Sequence, residues 1–91
     1  MELSDIRKEI DAVNDQMLEL FLRRMALSEQ VAACKRAQGL PVLNAQREQE
    51  ILDAVAAKSG DMAPYARRLF STLFELSRER QTELLSRKEA D

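Results

Sequence analysis

The sequence predicts an all-α fold, and three observations lead there. Leu, Ala, Glu and Arg dominate the 91 residues, whereas Val, Ile, Thr and Tyr are sparse, a balance that favours helix over sheet. Only two Gly and two Pro punctuate the chain, so turns are few and helices must be long. Ile6, Ile10, Val13, Met17, Leu20, Leu27, Val31 and Cys34 follow a spacing of four and three residues, the mark of an apolar stripe on one helical face.

The first helix is expected from about residue 4 to 38, with Ser4 or Asp5 as N-cap and Gly39 as the stop. At 1.5 Å rise per residue it reaches about 50 Å, longer than a domain of this mass is wide. Such a rod cannot bury its stripe against the remaining residues of one chain, so a partner chain is expected. The break "QGLPVLN" carries Gly39 and Pro41, and Asn44 is placed to cap a second helix over about 44–58, ended near Gly60. A third helix opens near Asp61, tolerates Pro64 in its first turn and runs over about 62–87, with "RKEAD" fraying at the end. One domain over 1–91 is expected, with no internal repeat and no room for a regulatory domain.

Gross composition removes several function classes. Net charge is −2, so no nucleic-acid footprint is expected. No apolar run approaches the roughly 20 residues of a membrane span, and the N-terminus is acidic and amphipathic rather than signal-like. The single Cys34 cannot form an internal disulfide and fits a reducing, cytoplasmic setting. With no histidine, the chain lacks Ser-His-Asp and Cys-His catalysis and the usual zinc sites. Neither a metal nor a cofactor is expected.

Polar residues stand where the helical patterns ask for apolar ones. Position 24 belongs to the apolar stripe of the first helix, yet holds Arg24. Lys35, 11 residues on, differs from Arg24 by only about 20° in helical direction and about 16 Å along the axis. Snorkelling, with the stems on apolar surface and the heads in water, would be the ordinary account of both. In the third helix the inward stripe Ala66, Phe70, Leu73 continues through Ser77 and Gln81 before Leu84 or Leu85. In the second, Asn44, Arg47, Glu48 and Ile51 share one side, which alone would read as a solvated first turn. Buried charges are costly unless paired with another charge or a ligand. If these side chains converge, three cations (Arg24, Lys35, Arg47), one anion (Glu48) and neutral hydrogen-bonders (Asn44, Ser77, Gln81) suit a small, multiply anionic, polyoxygenated ligand. Arg7 lies about 25 Å before Arg24 and a quarter turn off its face, so it can join such a pocket only from another chain.

The order R-x(16)-R-x(10)-K, a Pro-containing loop, N-x-x-R-E and S-x-x-x-Q resembles the all-helical chorismate mutases of the shikimate pathway. The resemblance covers Arg7 to about Leu85, most specifically "LPVLNAQREQEIL" and "YARRLFSTLFELSRERQ". It implies an intertwined homodimer of three-helix chains, two equivalent sites and chorismate as substrate in phenylalanine and tyrosine biosynthesis. Position by position, it implies that Arg7 crosses the dimer, Arg24 and Arg47 grip the carboxylates and Ser77 assists Arg47. Lys35 and Gln81 match the donors to the ether oxygen of the breaking bond, and Glu48 the acceptor for the ring hydroxyl. Asn44 stands where many relatives carry Asp. Catalytic roles thus fall to Lys35, Gln81, Arg24 and Glu48, and substrate binding to these with Arg7, Asn44, Arg47 and Ser77. An intramolecular pericyclic rearrangement needs no nucleophile or proton relay, which accommodates the missing histidines. Two rival readings stand beside it: isochorismate pyruvate lyase, which shares the fold and much of the pocket, and a non-catalytic helical dimerisation module.

Overall fold

The computed structural model describes residues 2–90, and those residues form three α-helices and one 3-10 turn without a strand. Helix α1 spans Leu3–Gln38, α2 spans Ala45–Ala57 and α3 spans Ala63–Ala90, with the 3-10 turn at Gly60–Met62. The expected helices are all present, and their boundaries differ in instructive places. The α1 N-cap is Glu2, with no side-chain cap bond, so Ser4 and Asp5 lie inside the first turn. There Asp5 still faces the positive end of the helix dipole.

At the other end of α1, Gly39 closes the helix in the left-handed conformation, φ 69°, as its sequence position suggested. Asn44 caps α2 by accepting a hydrogen bond from the Arg47 backbone amide at 3.1 Å. Helix α2 ends at Ala57 with Lys58 as its C-cap, ahead of Gly60. Gly60 opens the 3-10 turn with φ 53°. That turn defers the start of α3 to Ala63, two residues after the expected Asp61, and puts Pro64 in the first turn, where a missing amide proton costs no helical bond. Helix α3 continues through Ala90, past the expected fraying from Arg87; Asp91 lies outside the described residues.

Helix α3 is the spine. It packs against both α1 and α2, whereas α1 and α2 do not pack against each other. The wedge between those two helices, floored by α3, is where a pocket forms. Ala32 and Phe74 are the buried apolar centre, and beside them the buried set is polar: Ser28, Ser77 and Gln81. Phe70 and Phe74 meet edge to face with centroids 6.4 Å apart. On the outer flank Arg80 Nε donates to Glu29 Oε1 at 2.8 Å, tying α3 to α1. The Glu29 hydrogen bond raises the Arg80 guanidinium above its ordinary value. The Arg80 contribution is therefore fully present below the ordinary arginine range and is lost as pH rises through the raised value.

The apolar stripe of α1 does not face α3. Ile6, Ile10, Val13, Met17, Leu20, Leu27 and Val31 are all exposed, with Ile10 at 50% and Leu20 at 59%. Against α3 the helix turns Phe21, Met25, Ser28 and Ala32, a stripe about a quarter turn away. Arg24 and Lys35 sit on the border between the two stripes. The shape follows from this division. The radius of gyration is 16.6 Å, against about 12 Å for a compact domain of this length. The extents are 55 × 29 × 14 Å. The accessible surface is 7168 Å², against about 5,400 Å² for a globular chain of this mass.

Candidate active site

Each wall of the pocket comes from a different helix, and local sequence explains how each wall is held. Helix α1 contributes Arg24, Ser28 and Lys35, which are four and seven residues apart and so stack along one side. Helix α2 contributes Arg47, Glu48 and Ile51 from the turn that Asn44 caps. The α3 floor is Phe74, Ser77, Arg78 and Gln81. Val42 closes the end under the loop, where its carbonyl accepts a hydrogen bond from Lys35 Nζ. The cavity measures about 280 Å³, the size of a small-metabolite site.

Arg24 does not snorkel into water. Its Nη1 donates to Ser77 Oγ at 2.8 Å, and its guanidinium carbon lies 5.4 Å from the centre of the Phe74 ring. Ser28 completes this corner, within 3.0 Å of Ser77 Oγ, and its hydroxyl also reaches the Arg24 carbonyl at 3.1 Å. An arginine has five N–H donors, and one bond to Ser77 leaves the rest of the fork for a ligand. Small-molecule sites are lined mainly by apolar side chains with a few placed polar groups, and here each of the three helices supplies such polar groups.

The charge inventory decides what the pocket can hold. Four cations line it (Arg24, Lys35, Arg47 and Arg78) against one carboxylate, Glu48. That carboxylate is already engaged, because Arg78 Nη1 donates to both of its oxygens. Among the described residues Arg24, Lys35 and Arg47 form no ion pair. Converging cations without counter-ions repel one another, and an anionic ligand with at least two carboxylates relieves that repulsion. Gln81 adds a neutral group of the same kind. It is only 6% exposed, and its Oε1 has no hydrogen-bond partner. Because the two ends of an amide exchange on a half turn, either a donor or an acceptor can be aimed from this position.

The structure therefore gathers Arg24, Lys35, Asn44, Arg47, Glu48, Ser77 and Gln81 into one pocket. It does not bring Arg7 there: that residue lies in the exposed N-terminal half of α1, about 25 Å along the axis from Arg24. Two polar residues of the site were not singled out from sequence, Ser28 and Arg78. Ser28 carried a usable signal, four residues after Arg24 on the same face. Arg78 carried none, since "SRERQ" reads as a charged, solvated turn. Asn44 spends its side-chain oxygen on the Arg47 amide, so what it offers the pocket is its NH2 group. Among the described residues no group of three or more Cys, Asp or Glu side chains is arranged to hold a metal ion. Cys34 is exposed on the outer face of α1.

Comparison with known proteins points the same way. Residues 6–82 match the family described as chorismate mutase type II. A chorismate mutase of Methanocaldococcus jannaschii is 35% identical over 54 residues, 59% of this chain and 54% of that protein. The T-protein of Haemophilus influenzae is 38% identical over 52 residues, 57% of this chain and 14% of its own length. A bifunctional chorismate mutase/prephenate dehydratase of Aquifex aeolicus is 33% identical over 54 residues, 15% of its length. The chain thus spans about half of one of these relatives and a small part of the other two. With most of its length matched and its polar pocket assembled from the positions that carry the resemblance, the chain belongs to the chorismate mutase type II family.

Proposed function

We propose that this chain catalyses the rearrangement of chorismate to prephenate as one domain of a homodimer. The observation that carries this reading is the pocket of unpaired cations facing a buried amide whose oxygen has no partner, with its one carboxylate already engaged. Chorismate is a dianion with two carboxylates, an ether oxygen and a ring hydroxyl. In the reaction one C–O bond breaks and one C–C bond forms within a single molecule. No proton moves and no covalent intermediate arises, so a site without a nucleophile–base pair loses nothing.

Two tasks remain for the protein. The first is to hold the substrate in its compact conformer, with the reacting carbons in contact. Arg24 and Arg47 grip the carboxylates, assisted by Ser77, and Asn44 offers its amide nearby. Arg7 reaches the site from the neighbouring copy. The second is to stabilise negative charge on the ether oxygen as its bond to carbon stretches. Lys35 and Gln81 donate there, while Glu48 accepts from the ring hydroxyl. The apolar stripe left open on α1 and the surface excess of the lone chain support the homodimer. No described helix is long and apolar enough to cross a membrane, and a lone exposed cysteine suits the cytoplasm.

The test is loss of chorismate absorbance with purified protein, with the product identified as prephenate. Salicylate and pyruvate from isochorismate would support the lyase instead. Lys35→Ala should lower kcat/KM by about 100- to 1,000-fold, the usual cost of one donor to a developing oxyanion. Full activity in that variant would overturn the site assignment.

A further inference from the structure

We propose that Arg78 is a positioning residue that holds the Glu48 carboxylate away from Lys35 and presents it to the ligand; the proposal rests on the mutase reading of the site. Glu48 lies in the first turn of α2, and Arg78 reaches it from α3, 30 residues along the chain. Both side chains are part-buried, at 23% and 30% exposed. The other ion-pairing arginines of α3 (Arg67, Arg80 and Arg87) pair with carboxylates that do not line the pocket. Arg78 alone of these grips one that does.

Consider Glu48 without that grip. A lone carboxylate in a pocket with Arg24, Lys35 and Arg47 would swing onto one of those cations. A cation so engaged is lost to the ligand: its donors are occupied and its charge is cancelled. By spending one nitrogen on both Glu48 oxygens, Arg78 satisfies the carboxylate from the side and leaves the three other cations unpaired. A carboxylate has about four lone-pair sites, so one held this way can still accept a hydroxyl hydrogen bond. Arg78 thus acts on the chemistry through Glu48 and Lys35 rather than by touching substrate.

Kinetics on single and double variants separate this from a merely structural clamp between α2 and α3. Arg78→Gln should cut kcat/KM for chorismate about 10- to 100-fold, the worth of one charged hydrogen bond. Arg78→Lys, which keeps the charge, should recover part of that loss. In a Glu48→Gln background, where no carboxylate can swing, Arg78→Gln should have little further effect. Three results would overturn the proposal: Arg78→Gln at wild-type kcat/KM with only a lower melting temperature, an equal loss in the Glu48→Gln background, or no recovery with Lys. A crystal structure of Arg78→Gln gives a readout independent of turnover, with the Glu48 carboxylate expected on Lys35, and its staying in place would equally overturn the idea. Wild-type protein without mutase activity would remove the functional reading, but would leave that structural result standing.

Discussion

The proposed reaction makes Gln81 a hydrogen-bond donor, a task a carboxylic acid at this position could perform only while protonated. The amide donates at any pH, so Gln81→Glu should convert a pH-indifferent donor into a titrating one. With the donor form lost as the new carboxyl ionises, kcat/KM should fall by about 100-fold or more at neutral pH and recover as pH is lowered. A pH–rate profile of the variant that stays flat would argue against contact between this side chain and the reacting oxygen. Residue chemistry of this kind was legible in the sequence because Arg24, Ser77 and Gln81 each occupy a position whose helical phase demands an apolar group. Arg78 was not legible, because its phase puts it on the flank of α3, where charge is ordinary. Its role depends on a partner 30 residues away, and only tertiary structure supplies that distance.

Among the elements, α2 is short and carries no fully buried residue, so its start depends on local capping more than on packing. Asn44→Ala removes the acceptor for the Arg47 amide and should cost about 1 kcal/mol in denaturant unfolding, while Asn44→Ser should restore most of it. The same change loosens the turn that aims Arg47 and Glu48, so KM should rise more than stability alone explains. At the other side of the loop, Gly39→Ala meets no atom within 4 Å, and its cost comes from the left-handed backbone alone. About 1 kcal/mol is expected there too. Helix ends were read well where Gly or Asn supplied a cap and poorly where none did. Glu2 caps α1 through backbone alone, and the 3-10 turn before α3 follows from the Gly60 backbone conformation, which has no counterpart in hydrophobic periodicity.

At the scale of the molecule, the spacing of apolar residues correctly announced a stripe on α1, but not what covers it. Periodicity reports that a face is hydrophobic; it cannot say whether the cover is this chain or another copy. In the lone chain α3 takes the neighbouring stripe and leaves the longer one in solvent. The surface excess of roughly 1,800 Å² over a globular chain is ample for a stable interface. Sedimentation should therefore give the mass of two chains. Ile10→Glu, on an exposed site that no contact within the chain explains, should shift the protein towards monomer and abolish turnover. Mixing Arg7→Ala with Arg24→Ala chains should restore roughly a quarter of wild-type activity, since half the random dimers carry one intact site. No recovery on mixing would mean that Arg7 serves no site across the interface.

The unbroken run of α1 from Leu3 to Gln38 makes this helix a ruler as well as a wall. With no proline, glycine or bulge to absorb an error, the distance and the angle between Arg7 and Arg24 are written into the number of residues separating them. One residue inserted in that stretch would turn everything upstream by about 100° and advance it by about 1.5 Å. The pocket side chains downstream would remain untouched, and yet Arg7, which the proposed dimer assigns to the neighbouring copy's site, would point elsewhere. Seven inserted residues would nearly keep the angle but lengthen the reach by about 10 Å. In this fold the length of a helix is itself a functional quantity, open to damage by changes that no inventory of pocket residues would flag.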